Sequence, residues 1–567
     1  MIFGKSKKTK IGDLLVDQSL ITTDQLSEAL AIQKEKGGKL GDVLTGLGYI
    51  TEINFSKVLA AQLNIPFIDL REHSFKENLV QKLPEKISRR LAAIILDTIE
   101  EGYLVGMVDP SDLMAYDEIT KVLNSKIETA VILQSDLSHV LNAIYRKTED
   151  ISSFAKALKD ELHQNEEKTE EVKSISANAA PVIKLLESIF EDAIQMRASD
   201  IHIEPDETVL RIRQRVDGIL HENIIPGKEI ASPLILKIKL MAEMNISEKR
   251  MPQDGRFRVN VKNKNIDVRA AIMPVHFGEA AVFRLMDQSK GIVKLDNLGM
   301  PEDTLLRIKK LINKPNGIIL ITGPTGSGKT TTLYSMLNDL NTPDRKIITI
   351  EDPVEYLLPR VNQVQVNNTI NLSFSAILRS VLRSDPDIIM IGEMRDEETV
   401  KIGLRSAMTG HLVFSTLHTN DSISSAVRLV DMGAEGFLVG GALRGVLAQR
   451  LIRKICDNCI EPYEATEQEK SLIYGLFGKE QEPFAFKQGK GCSRCNQSGY
   501  YGRIGIYEFL EITPDLADVL RTNDTNLFIK AARAQPNFQT LSQVIFSKAL
   551  EGITTVTEVF RISGELI

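Results

Sequence analysis

Apolar positions change period several times along the 567-residue chain, and the changes mark its elements. Near the amino terminus two segments each read as a short apolar helix, a turn, and a helix with apolar residues four apart: Leu26 with Leu30, and Phe55 with Leu59. The segments are copies. Residues 10–33 align without gaps to 39–62 at an offset of 29, and ten of 24 positions match, which marks an internal duplication. Short strands and helices follow from about 66 to 147, including the apolar run 103–108 stopped by Asp109-Pro110, and complete a first domain, 1–147. Residues 148–180 are mostly Lys, Glu, Asp, Ser and Gln, so they read as a solvated helix or flexible tether.

From 181 to 290 an amphipathic helix leads into alternating strands (209–215, 257–261, 266–270) with Gly-rich turns, an arginine-rich α+β unit. From 295 onward the apolar strands 317–322, 346–351, 388–392 and 412–415 alternate with helical segments, the pattern of a helix-covered parallel sheet. An α/β multidomain protein is expected.

Length agrees, since a chain of this size is several domains long. A content of 43% hydrophobic and 26% charged residues describes globular protein and excludes a collagen-like or largely disordered chain. Lys plus Arg total 69 against 76 Asp plus Glu, a net charge of −7, so no nucleic-acid partner is expected. No apolar run reaches the roughly 18 residues that span a bilayer. The Lys-rich start (Lys5, Lys7, Lys8, Lys10) runs into Asp13 and Asp17 instead of a signal-peptide core, so a cytoplasmic location is expected.

Candidate chemistry begins after the strand at 317–322. Gly323, Pro324, Thr325, Gly326, Ser327, Gly328, Lys329 and Thr330 fit G-x-x-x-x-G-K-[ST], and Thr331 follows at the start of a helix. In such a loop glycines let backbone amides cradle phosphate oxygens, Lys329 reaches the outer phosphates, and the Thr330 hydroxyl ligates magnesium. ATP with Mg2+ is the expected substrate pair. A second strand ends in Glu351-Asp352-Pro-Val-Glu355, and a third in Gly392-Glu393, carboxylates at strand tips that can orient water or support magnesium. His411 and His418, two of eight histidines, flank the fourth strand; taken alone they also fit buried, satisfied side chains.

In order, GPTGSGKT, ITIEDPVE, RSDPDIIMIGEMRD and TGHLVFSTLHT resemble the four boxes of the ATPases that power type IV pilus assembly and type II secretion. RASDIHIEP, RIRQRVDG, RMPQDGRF and GITTVTEVFRI extend the resemblance over nearly the whole chain. It implies a homo-hexamer with a RecA-like carboxy-terminal domain, 295–567, and a preceding PAS-like domain that moves against it. It makes Glu355 the catalytic carboxylate, Glu393 the Walker B acid acting on magnesium through water, and His411 and His418 a histidine box. Arginines of the preceding domain would meet the phosphoryl group, Arg258 and Arg284 first, with Arg213 and Arg269 as substitutes; a surface or sheet-edge role stays open for each. Implied partners are an inner-membrane platform protein and a docking protein, with membrane association through them alone. A DNA-translocating motor, or a cyclic di-GMP receptor scaffold with vestigial hydrolysis, is the reading from another class.

All four cysteines form two pairs, Cys456-x-x-Cys459 and Cys492-x-x-Cys495, 32 residues apart. The spacing predicts a tetrathiolate structural zinc site in an insertion at about 456–500, with free thiols or disulfides as the alternative. In the resembled family this cluster marks assembly and secretion motors and is missing from retraction motors. The duplicated segment resembles the amino-terminal domain of MSHA-pilus-type assembly ATPases, whose two 24-residue motifs bind cyclic di-GMP. By that resemblance Lys10, Ile11, Gly12, Gln33, Lys39, Leu40, Gly41 and Gln62 are candidate ligand residues: lysines for phosphate, glycines for close backbone approach, apolar faces for guanine. The first copy departs from the pattern at Lys10, where it has Arg, and at Ser19, where it has Gly. A helical platform that docks a membrane-associated partner is the other reading.

Overall fold

The computed structural model describes residues 11–37, 39–70, 73, 75–144, 148–164, 180–261, 264–287, 291–478 and 484–566. It divides into two compact units, 1–196 with the loop 490–499, and 197–489 with 500–567.

In the first unit the duplication folds as two helix pairs, α1 (Ile11–Asp17) and α2 (Thr23–Lys36), then α3 (Leu40–Gly46) and α4 (Glu52–Leu63). Thr22 and Thr51, equivalent in the two copies, cap α2 and α4 by accepting from the amides of Gln25 and Asn54. The copies interlock, α1 on α4 and α2 on α3, around Leu15, Ile21, Leu44 and Ile50. Gly12 and Gly41 are buried in these crossings. A β-carbon at Gly12 would lie 2.8 Å from Leu26, and one at Gly41 2.6 Å from Phe55. These glycines therefore admit a neighbouring helix at each crossing.

The turn after each first helix needs a left-handed residue: Gly48 sits at φ 73° and its counterpart Ser19 at φ 57°. A three-stranded sheet completes the core, with β1 (Ala93–Ile99) antiparallel and β3 (Lys126–Val131) parallel to the central β2 (Gly102–Met107).

The charged segment differs from expectation. Residues Thr148–Gln164 form α5, packed on α6 (Ala180–Gln195), with Ile151, Ala155 and Leu158 buried. Burying Ile151 and Leu158 stabilises the pair by about 1.5–3 kcal/mol each, which outweighs the polar composition of the remaining face. Residues 165–179 lie outside the described residues.

The second unit opens with six strands: β4 (Asp200–Pro205), β5 (Val209–Val216), β6 (Ile219–Pro226), β7 (Gln253–Val261), β8 (Lys264–Val275) and β9 (Gly278–Asp287). They pair antiparallel in the order β6-β5-β4-β9-β8-β7. Alternation buries Leu210 and Ile212 and turns Arg211, Arg213 and Arg215 to the other face. Helix α7 (Ala231–Met241) contributes the fully buried Lys239, whose ammonium donates to Glu279 and to the Glu248 carbonyl, both at 2.6 Å.

A seven-stranded sheet follows, built from β10 (Gly317–Thr322), β11 (Ile347–Glu351), β12 (Val361–Gln365), β13 (Ile388–Ile391), β14 (Leu412–Leu417), β15 (Leu443–Ile455) and β18 (Tyr500–Glu511), in the order β12-β11-β13-β14-β10-β15-β18. All neighbours are parallel except β18, which runs against β15, so the expected parallel sheet has an antiparallel edge. β10, β11, β13 and β14 are buried throughout, as strands covered on both faces must be. The cysteine excursion leaves between β15 and β18 and carries the hairpin of β16 (Ile460–Tyr463) and β17 (Phe486–Gly489). No helix among the described residues is long and apolar enough to cross a membrane.

Replacing Ser19 by Gly is expected to stabilise the four-helix region by about 1 kcal/mol, the cost of a left-handed non-glycine residue. Gly41→Ala is expected to destabilise it by about 1–3 kcal/mol through overpacking against Phe55. Native-state hydrogen exchange of the α1–α4 amides reads both changes, and unaltered protection in Gly41→Ala would remove the packing account of that glycine.

Candidate active site

Parallel strands end on one edge of their sheet, and four of them deliver chemistry there. After β10 the chain turns through the phosphate loop, with Gly323, Gly326 and Gly328 at φ 147°, 81° and 90°, and enters α8 (Lys329–Leu340) at its amino terminus. Thr325 and Gly326 are exposed at the tip, as is the side chain of Thr330, and Ser327 is buried beneath. The Lys329 ammonium donates to the carbonyls of Gly323 at 2.6 Å and Pro324 at 3.1 Å. Burial pulls its pKa down to about 8; the Glu393 carboxylate opposes that shift and the Arg450 guanidinium adds to it.

After β11, Glu351 is buried and structural. It accepts from the Tyr334 hydroxyl, from Thr349 Oγ1 at 2.5 Å and from Gln363 Nε2 at 3.0 Å. Four residues on, Glu355 is reached by an arginine of the antiparallel sheet, Arg269 on β8. Arg269 Nη1 donates to Glu355 Oε1 at 3.1 Å, its Nη2 lies 2.9 Å from Oε2, and Nη2 also donates to the Val354 carbonyl at 2.9 Å. This two-pronged contact can hold the carboxylate in place or, on moving, free it to orient water.

Arg258 and Arg284 are not brought there. Arg258 pairs with Asp267 across its own hairpin at 2.8 Å, Arg284 with Asp200 at 3.3 Å, and Arg213 with Glu204 at 2.7 Å. Neighbouring strands of one antiparallel sheet supply these partners, and of the four candidate arginines Arg269 is the one in contact with Glu355.

After β13, Glu393 pairs with Arg395, and His418 Nε2 lies 3.4 Å from Glu393 Oε2. His418 follows β14 at the reactive edge. His411 precedes the same strand, where its Nδ1 lies 3.1 Å from the Ser406 carbonyl. A six-residue strand spans about 20 Å, so the two histidines sit at opposite edges of the sheet. Two further side chains at the loop escaped sequence reasoning. Gln449 and Arg450 are the buried polar residues of β15, set between the apolar stretches 446–448 and 451–452, and that interruption was the available signal. Thr330 and, through water, Glu393 would be the residues to hold Mg2+, and the ion would supply charge neutralisation for phosphoryl transfer.

The four cysteine sulfurs lie within 4.8 Å of one another and all four residues are buried. Cys492 and Cys495 are 3.7 Å apart at sulfur, against about 3.8 Å for two thiolates on one tetrahedral zinc. Amides of Cys492 and Gly499 donate to the Cys495 sulfur at 3.2 and 3.3 Å, which suits a thiolate. The donor set fits Zn2+.

Of the amino-terminal candidates, Lys10 lies outside the described residues. The pairing of α1 with α4 brings the helix of Ile11 and Gly12 to that of Gln62, and α2 with α3 brings the helix of Gln33 to that of Leu40 and Gly41. Lys39 donates to Asp109 at 2.6 Å, and this bond holds its ammonium pKa above the ordinary lysine value.

The shifted Lys329 gives a pH prediction. Without nucleotide it loses its proton above pH about 8, whereas an ammonium against phosphate keeps it. ADP affinity is expected to fall between about pH 7 and pH 9, with proton uptake on binding at the upper end only. Calorimetry in buffers of different ionisation enthalpy measures this, and equal uptake at both ends would separate Lys329 from the phosphates.

The chain matches the family model of the type II/IV secretion system proteins over residues 176–561 and that of the MshEN domain over 63–151, the segment that follows the two motifs. It is 37% identical to the type IV pilus assembly ATPase PilB of Myxococcus xanthus over 554 residues, 97% of this chain and 98% of that one. It is 38% identical to the type II secretion system ATPase E of Vibrio cholerae over 500 residues, 86% of this chain and 97% of that one. The solved structure of MshE with cdg is 33% identical and covers 24% of this chain and 99% of that one, with a TM-score of 0.23. With its phosphate loop and carboxylates on one sheet edge, the chain belongs to the type II/IV secretion system protein family and is an ATPase related to those of type IV pilus assembly and type II secretion.

Proposed function

We propose that the chain is a hexameric motor at the cytoplasmic face of the inner membrane that uses ATP hydrolysis to extend a type IV pilus. The observation that carries this reading is the Arg269–Glu355 contact. An arginine of the antiparallel sheet engages the carboxylate assigned to water activation, so if segment 181–290 moves as a domain, its movement and hydrolysis act on the same pair. The force is delivered to an inner-membrane platform protein, and a docking protein holds the motor there. The tetracysteine cluster, read as a structural zinc site, favours assembly over retraction. A type II secretion motor with the same chemistry is the alternative, which a deletion strain scored for pili and for secreted enzymes separates. The acidic balance of the chain disfavours DNA translocation.

Cyclic di-GMP is the proposed regulator. The duplicated motif and the adjoining MshEN match support it, as does the interlocked pairing of the helices that carry candidate residues of both copies. Lys39 must then exchange Asp109 for a ligand phosphate. A docking platform remains the second reading, favoured by that same internal ion pair.

Glu355→Gln and Arg269→Ala are each expected to lower kcat by about 100-fold or more with ADP affinity within about threefold, as for groups that act only in the transition state. Steady-state turnover with ADP calorimetry decides it, and a normal kcat in Glu355→Gln would overturn the assignment. Titration with cyclic di-GMP is expected to give saturable binding that is lost in Lys10→Ala and Gln33→Ala. No heat with turnover intact would leave the repeat as a docking platform.

A further inference from the structure

We propose that Gln449 is a positioning residue for nucleotide binding, one that sets the conformation of the phosphate loop from outside it. Its amide Nε2 donates to the Ser327 carbonyl at 2.7 Å, and both residues are buried, Gln449 at 2% exposure. The Ser327–Gly328 unit is a trans peptide, in which C=O and N–H point to opposite sides. Drawing the Ser327 carbonyl outward to Gln449 therefore turns the Gly328 N–H inward, toward the space the loop wraps. Gly328 is the residue that caps α8, so the donor set in this way is one of those at the helix amino terminus on which phosphate binding depends.

The amide has one working orientation. Exchanging its nitrogen and oxygen would set Gln449 Oε1 against the Ser327 carbonyl, two acceptors in contact. In the orientation present, Oε1 is buried without a partner, and so is Ser327 Oγ.

The backbone at this position is held too. β15 runs parallel to β10 up to the pairing of Thr322 with Ala448, so Gln449 arrives level with the base of the loop. A β-carbon at Gly323 would lie 2.5 Å from the Gln449 carbonyl, and one at Gly328 would lie 3.1 Å from its Nε2. Arg450 Nη1 donates to the Gln449 carbonyl at 3.1 Å, and its Nη2 to the Asn420 carbonyl at 3.1 Å. The strand, the amide and the loop form one assembly.

A loop amide meets phosphates common to ADP and ATP, in ground and transition states alike, so its loss should act as uniform binding. In the full-length protein, Gln449→Met is expected to weaken ADP and to raise KM for ATP by about tenfold each, with kcat at saturation within about twofold. Gln449→Glu, which presents a carboxylate to a carbonyl, should weaken both by about 100-fold, and Gln449→His, which keeps an N–H donor, should recover ADP affinity to within about threefold. Calorimetric stoichiometry counts the folded sites, so the dissociation constant is read on folded protein even where a variant folds poorly. Unchanged ADP affinity in Gln449→Met and Gln449→Glu would overturn the proposal. So would a fall in kcat at constant KM, or a lowered melting temperature with the dissociation constant intact.

Discussion

In a parallel sheet every strand reaches its carboxyl end on the same edge, and the site of this protein depends on that constraint. β11, β13, β14 and β10 are adjacent, buried and parallel, so Glu355, Glu393, His418 and the phosphate loop emerge side by side although 95 residues separate Gly323 from His418. Polar groups at the other edge are excluded by the same geometry, as His411 illustrates. The buried Glu351 shows how the edge is kept in register: three donors from α8, β11 and β12 converge on one carboxylate under the loop that carries Glu355.

Much of this was legible beforehand because local signals and topology agreed. The phosphate loop, the carboxylate tips and the cysteine pairs lie within short stretches whose spacing determines their chemistry. What escaped depends on pairing between distant segments. Which arginine reaches Glu355 is decided by the register of β8 within its sheet, where Arg258 and Arg284 find acids on neighbouring strands and Arg269 faces β9 opposite Arg284. Composition misled at residues 148–164, since three apolar side chains on one face suffice to bury a helix whose other positions are charged. Gln449 was invisible to motif reading because its partner is a backbone carbonyl 122 residues away.

The amino-terminal duplication shows the limit from the other side. Sequence identity between the copies predicted paired helices correctly, yet the shared glycines answer to helix contact with Leu26 and Phe55. Ser19 occupies the left-handed turn that glycine fills in the second copy, so the fold tolerates the departure at a local cost. Conservation of a residue between copies thus reports a common packing need before it reports a common ligand.

The Arg269–Glu355 pair and the Gln449–Ser327 bond divide the work of hydrolysis between elements outside the nucleotide loop itself. One contact acts on the carboxylate from a strand of the antiparallel sheet, and the other, as proposed, sets a backbone donor from a strand inside the parallel sheet. A group that stabilises the transition state gains from being movable, because its engagement can then be made conditional. A group that binds phosphate equally in all states gains from being immobile, because any freedom it keeps must be given up on binding. The placement of Arg269 on the arginine-rich domain and of Gln449 in the buried strand follows that division.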